Sequence, residues 1–185
     1  MKRAQDAKRF EHTLGVEYTA AALAMCYGWD IKKAQIAGLL HDCAKCLSDE
    51  KRLALCKKGD LHITEVEQKS PFLLHAKVGA YLAQKKYGIN NEDILNAILN
   101  HTTGRPGMSL LEKIIFVADY IEPGRTQAPN LAKIRKLAFV NLDEALLVIL
   151  DDTLSYLRAA GGELDPMTEK TWQYYRGLSD AQETE

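Results

Sequence analysis

Apolar residues return along this chain at intervals of three and four rather than two. Phe10, Leu14, Tyr18, Ala21 and Met25 recur at the spacing of a helix, and Gly28 is placed to stop it. Asp30 can cap the next helix, which carries Ile36, Leu39 and Leu40. Ser48, followed by Asp49 and Glu50, marks a further start, because an oxygen cap and early carboxylates suit the positive end of the helix dipole; Gly59 closes that element. Thr64 and Glu67 fit a capping box. Ser70-Pro71 then opens a helix with Pro at its first position, running through Leu74, Val78 and Leu82 to Gly88. Asn91 begins another through Ile94, Ala97 and Ile98. Ser109 and Glu112 form a second capping box, before a helix through Ile114, Val117 and Ile121 that Pro123-Gly124 ends. Later helices are expected over 130–139, 141–160 and 166–176. No segment alternates with period two between turn signals, so no sheet is expected. The pattern predicts an all-α fold: one helical-bundle domain over residues 1–178, then a polar tail over 179–185.

Composition narrows the class of partner. A chain of 185 residues, 46% apolar and 26% charged, has the balance of one ordinary globular core. The formal net charge of −1 gives no general attraction to nucleic acid or anionic lipid, and neither is expected as a partner. A phosphate ligand would have to be held by a few local cations or by metal. The N-terminal MKRAQDAKRFEH has no apolar stretch, so a secretory signal is not expected, and the most apolar run, Ala145 to Leu150, is too short to span a bilayer. Cys26, Cys43, Cys46 and Cys56 are too sparse for a disulfide scaffold. Reduced thiols and a cytoplasmic location are the expectation.

Two motifs overlap in Leu39-Leu40-His41-Asp42-Cys43-Ala44-Lys45-Cys46: a C-x-x-C pair, and a His-Asp doublet with Lys three residues on. A zinc knuckle needs a second close cysteine pair and a thioredoxin-like motif needs a βαβ setting; neither is present, so Cys43 and Cys46 are expected to pack the helix that carries them. The histidines point elsewhere. His12, His41, His75 and His101 each sit against an apolar run on a different expected helix, and Asp119 lies within Phe116-Val117-Ala118-Asp119-Tyr120, where an unpartnered charge is costly. A shared metal ion would satisfy several of them at once; unrelated core hydrogen bonds would also do so, and spacing alone leaves both open. A mixed imidazole–carboxylate set suits iron, manganese, zinc or cobalt better than magnesium or calcium. His62 lies outside every motif.

The ordered series His12, His41-Asp42, His75, His101, Asp119 resembles the HD superfamily of metal-dependent phosphohydrolases. The segments RFEHTLGV, LLHDCAKCL, LLHAKVGA and HTTGRPGMSLLEKIIFVADYIEPGR are similar, between Arg9 and Arg125, to the bacterial HD-domain symmetrical bis(5′-nucleosyl)-tetraphosphatases. That resemblance implies an all-helical enzyme that converts diadenosine tetraphosphate to two ADP, a metal-activated hydroxide attacking a central phosphoanhydride. It implies two divalent ions, iron by the family's habit, with manganese or cobalt as alternatives. One ion would be held by His12, His41, Asp42 and Asp119, and the other by His75 and His101, with Asp42 bridging. Asp42 and Lys45 would be catalytic. Nucleotide contacts would come from Arg9, Asp42, Lys45, His75, His101, Thr102, Asp119, Arg125, Gly162 and Met167, and a homodimer is a further expectation. Thr171-Trp172-Gln173 stands where the family often carries Ala-Arg-Asn, and Trp172 there either stacks on a base or packs in the core. Two alternatives stay open at this point: an HD phosphohydrolase for another nucleotide or alarmone, and a non-catalytic, metal-stabilised helical binding module.

Overall fold

The computed structural model of the chain describes residues 5–161 and 164–182, and among these it is helical throughout, with no strand. The elements are α1 (Ala7–Cys26), α2 (Ile31–Leu40), α3 (Asp49–Gly59), α4 (Glu65–Lys69), a 3-10 turn (Pro71–Leu74), α5 (His75–Lys85), α6 (Glu92–Asn100), α7 (Leu110–Ile121), α8 (Leu131–Leu137), α9 (Leu142–Ala160) and α10 (Pro166–Gln182). The starts follow the expected caps. Asp30, Ser48 and Asn91 each accept from the backbone N–H three residues on, and Thr64/Glu67 and Ser109/Glu112 close complete capping boxes. No helix among the described residues is long and apolar enough to cross a membrane.

Helix α7 is the axis. Its Leu111, Ile114, Ile115, Phe116, Val117, Ala118 and Ile121 are all buried, so it is apolar on nearly every side, and α1, α6 and α9 pack around it. Helix α2 lies closely against α1. A Cβ on Gly38 would sit 2.9 Å from the Cα of Glu17, so only glycine lets the two backbones approach this far. A second, smaller core of Ala44, Cys56, Leu74 and Val78 joins the segment after α2 to α3 and α5. It anchors the stretch containing Lys45.

The structure adds detail to the expected elements and shifts two of their bounds. The stripe from Phe10 to Met25 is helical but is not the buried face: Tyr18 is 65% and Met25 62% exposed, while Val16, Ala20, Leu23 and Ala24 are fully buried. Tyr18 and Met25 therefore face solvent, while the small Ala20 and Ala24 sit in the core beside Val16 and Leu23. Pro71 opens a 3-10 turn rather than an α-helix, with α5 beginning only at His75. Gly59 is the last residue of α3, and the left-handed stop falls on Asp60, with φ 52°, while the bare Cα of Gly59 makes room for the Tyr81 ring. Helix α10 runs past 176 to Gln182, so the expected polar tail is helical through 179–182. Trp172 packs on the core and donates its indole N–H to Asp151 Oδ1 at 2.6 Å, tying α10 to α9.

Candidate metal centre

Helix α2 ends at Leu40 because its hydrogen bonding tightens. Cys43 N–H donates to Leu40 O at 3.0 Å and Lys45 N–H to Asp42 O at 3.0 Å, a run of i to i+3 bonds in place of the α pattern. Arg52 of α3 donates to Ala44 O and Lys45 O, satisfying carbonyls that the broken helix leaves open. The turn aims His41 and Asp42 into the bundle, where they are fully buried and 3% exposed. His75 and His101 also stand at junctions, the first at the start of α5 and the second just past α6. All three imidazoles are locked in the same way. Nδ1–H donates to the carbonyl three residues back, His41 to Gly38, His75 to Phe72 and His101 to Ile98, each at 2.7 Å. That bond leaves Nε2 as a lone pair directed inward. His12, in the middle of α1, uses Glu122 Oε1 instead, at 3.1 Å.

The inward atoms converge. His12 Nε2 lies 3.1 Å from Asp119 Oδ1, and His41 Nε2 lies 3.9 Å from the same oxygen and 3.6 Å from Asp42 Oδ2. The other oxygen of Asp42, Oδ1, is 3.5 Å from both His75 Nε2 and His101 Nε2, which are 3.3 Å apart. Asp42 thus turns one oxygen to each of two donor groups. Among the described residues, His12 Nε2, His41 Nε2 and Asp42 Oδ1 are buried without a hydrogen bond. Donors around one ion on bonds of about 2.1 Å stand roughly 3.0–3.4 Å apart. The observed separations run from 3.1 to 3.9 Å, within and slightly beyond that range, and three groups that could hold an ion share these residues: His12–His41–Asp42, His41–His101–Asp119 and Asp42–His75–His101. Buried polar atoms are ordinarily paired, so the unpartnered atoms at this point suggest a shared metal ion more than a set of core hydrogen bonds.

Cations ring the cluster. Arg9 Nη1 contacts Asp42 Oδ2 at 2.9 Å, Lys45 Nζ is 3.1 Å from His75 Nε2, and Arg125 reaches the backbone oxygen of Asp119 and, at 3.3 Å, its Oδ1. Thr102 Oγ1 lies 3.1 and 3.2 Å from the Nε2 atoms of His75 and His101. Burial, then the positive neighbours His101 and Lys45, bring the His75 pKa down to about 3, and burial lowers those of His41 and Lys45. For Asp42 and Asp119 burial opposes ionisation, but the surrounding imidazoles outweigh it and hold both carboxyls below the usual range. Burial likewise opposes the His12 imidazolium, yet Asp119 and Glu122 raise its pKa. His41 and His75 are thus held towards the neutral imidazole and Asp42 and Asp119 towards the carboxylate, the forms that ligate metal.

Two hollows adjoin the cluster. A recess of about 110 Å³ is walled by Lys45, His75, His101, Thr102, Phe116 and Ile149, among others. An open groove of about 1690 Å³ runs from Arg9 and His12 past Asp119 and Arg125 to Asp152, Thr153 and Tyr156. That exceeds the roughly 300–1,000 Å³ of sites for single small ligands, leaving room for a longer molecule. Every expected ligand and cation meets at this centre. Met167, at the start of α10 and 38% exposed, is not among the groove-lining residues, and Gly162 lies outside the described residues. Cys43 is buried with its thiol pKa pushed up to about 12, whereas Cys46 is exposed, so the second cysteine does not pack as expected. His62 is exposed and its carbonyl takes a hydrogen bond from Lys77. Glu122, Arg52 and Arg135 were not legible beforehand. The one local sign of Glu122 is Gly15, a bare helical position one turn after His12.

Comparison with known proteins agrees with this geometry. Residues 9–124 match the family model described as the HD domain. The symmetrical bis(5′-nucleosyl)-tetraphosphatase of Bacillus subtilis is 44% identical, across 90% of this chain and 88% of its own length. The protein of the same name from Halalkalibacterium halodurans is 43% identical, across 89% and 87%. A crystal structure from Clostridium acetobutylicum, described as a predicted HD superfamily hydrolase involved in NAD metabolism, superposes with a TM-score of 0.92 at 44% identity, covering 95% of this chain and 93% of that one.

Proposed function

The chain belongs to the HD-domain family, and within it to the symmetrical bis(5′-nucleosyl)-tetraphosphatases; on that premise we propose that it hydrolyses dinucleoside tetraphosphates, converting diadenosine tetraphosphate to two ADP. The observation that carries the reading is Asp42, whose two oxygens face separate imidazole groups across a groove long enough for a dinucleotide. We assign one ion to His12, His41, Asp42 and Asp119 and a second to His75 and His101, with Asp42 shared. Two bound ions supply an activated water and neutralise phosphoryl charge. The donor set favours a transition metal over magnesium or calcium. Iron is the assignment that the family resemblance supports, and manganese or cobalt would satisfy the same donors.

The chain's own residues do the rest. Arg9 and Arg125, at the groove side of the carboxylates, bind the outer phosphates, Arg125 with a fork suited to two oxygens. Lys45 and Thr102 stand beside the His75–His101 pair and face the central phosphates, where Lys45 offsets charge gathering on the leaving ADP. Water adds to one central phosphorus as its bond to the bridging oxygen breaks, and each half leaves as ADP. The buried Phe116 and Ile149 form the apolar back wall of the recess. We place the enzyme in the cytoplasm, with its nucleotide substrates. Chelation tests the metal dependence: turnover of diadenosine tetraphosphate should vanish on stripping divalent ions and return with iron, manganese or cobalt but not with calcium. Undiminished turnover in the stripped protein would refute it.

A further inference from the structure

The four imidazoles of the centre are not held alike. His41, His75 and His101 donate to neutral backbone carbonyls, whereas His12 donates to a carboxylate, Glu122 Oε1. Glu122 is 4% exposed, so solvent does little to dilute its charge, and its Oε2 accepts from Gly124 N–H at 2.6 Å. The surroundings are shaped for it. A Cβ on Gly15 would stand 2.4 Å from Glu122 Oε2, and one on Gly124 3.0 Å. Arg135 of α8 fixes the loop from below, donating to the carbonyls of Ile121 at 2.9 Å and of Glu122 and Arg125 at 2.8 Å each. A carboxylate on the far nitrogen makes an imidazole a better ligand than a neutral carbonyl does.

Resting on the two-ion reading above, we propose that Glu122 is a positioning residue that selectively strengthens the ion position on the His12 side. The two positions then differ through one buried carboxylate acting on one imidazole. Glu122 holds the far nitrogen of the ligand rather than the ion, and acts on the metal through His12.

The test is a calorimetric titration of metal-free protein with Mn²⁺, independent of turnover. Wild type should take two ions per chain. Glu122→Gln, close in size but uncharged, should weaken one of them by about 10–100-fold and leave the other at its wild-type affinity, which also certifies the fold. His75→Gln should weaken the other ion, and the double variant both. Gly15→Ala, whose Cβ crowds the Glu122 carboxylate beside His12, should weaken the same ion as Glu122→Gln. The proposal is overturned if Glu122→Gln leaves both affinities unchanged, lowers both together, or weakens the ion that His75→Gln weakens. A wild-type protein that binds a single ion overturns the two-ion reading, and the inequality with it.

Discussion

Gly15→Ala is a small substitution with an unusual expected sign. In the interior of α1, Ala is favoured over Gly by about 0.8–1.0 kcal/mol, so propensity alone predicts a more stable protein. The structure predicts the opposite. The new Cβ would lie 2.4 Å from Glu122 Oε2, and real Cβ contacts essentially never close below 3.0 Å, so the carboxylate must retreat by at least about 0.6 Å. A carboxylate that retreats as a whole carries Oε1, the oxygen that accepts from His12 Nδ1 at 3.1 Å, away from the imidazole and breaks that bond. A hydrogen bond to a charged group is worth about 1.5–3 kcal/mol, so the net change is a loss of about 0.5–2 kcal/mol after the helix gain. For a domain of this size that lowers Tm by roughly 1–8 °C. Thermal melting of metal-free wild type and variant, followed by circular dichroism at 222 nm, reads the difference. A Tm that rises by the helix increment, with metal affinity intact, would refute the reasoning.

Other outcomes follow from the same geometry. Asp42→Asn should lose metal and turnover together, because one side chain serves both donor groups, while Cys43→Ala and Cys46→Ala should keep both; metal analysis of the purified variants checks this. Lys45→Ala should lower kcat by about 10²–10³-fold with metal content unchanged, the scale of removing one group aimed at developing charge; wild-type kcat would remove Lys45 from the chemistry. Acid should destabilise the metal-free protein. Unfolded His75 titrates near the usual value of about 6.5, but in the folded chain at about 3, so between those values the unfolded chain takes up a proton that the folded one refuses. This contribution is fully present above pH ~6.5 and is lost as pH falls towards ~3. His41, also lowered, adds to it, and the raised His12 works against it. Tm measured from pH 7 to pH 4 should fall, and His75→Gln should flatten the slope; a flat wild-type profile contradicts the assignment.

What could be read from sequence was what is local. Ser48, Thr64 with Glu67, and Ser109 with Glu112 announce helix starts because caps act over three residues, and all of them close as expected. The six candidate ligands were legible as an ordered series rather than singly, and spacing alone left core hydrogen bonding open; the fold brings them together with His12 Nε2, His41 Nε2 and Asp42 Oδ1 unpaired. The buried face of α1 was not legible. Ala20 and Ala24 carry little hydrophobic signal, yet their smallness is what lets α2 close on α1, while the bulkier Tyr18 and Met25 face outward. Glu122 was hidden for another reason: it meets His12 across 110 positions, and a single glycine is its only trace near the histidine. The 3-10 turn at Pro71 likewise depends on tertiary demand, since His75 must begin α5 with its ring already turned inward.

The position of the cut in the phosphate chain distinguishes symmetrical cleavage from every alternative. Metal-loaded protein incubated with diadenosine tetraphosphate, its nucleotides resolved by anion-exchange chromatography, should yield ADP alone, two per substrate consumed. AMP appearing with ATP, or no turnover with either iron or manganese bound, would contradict it.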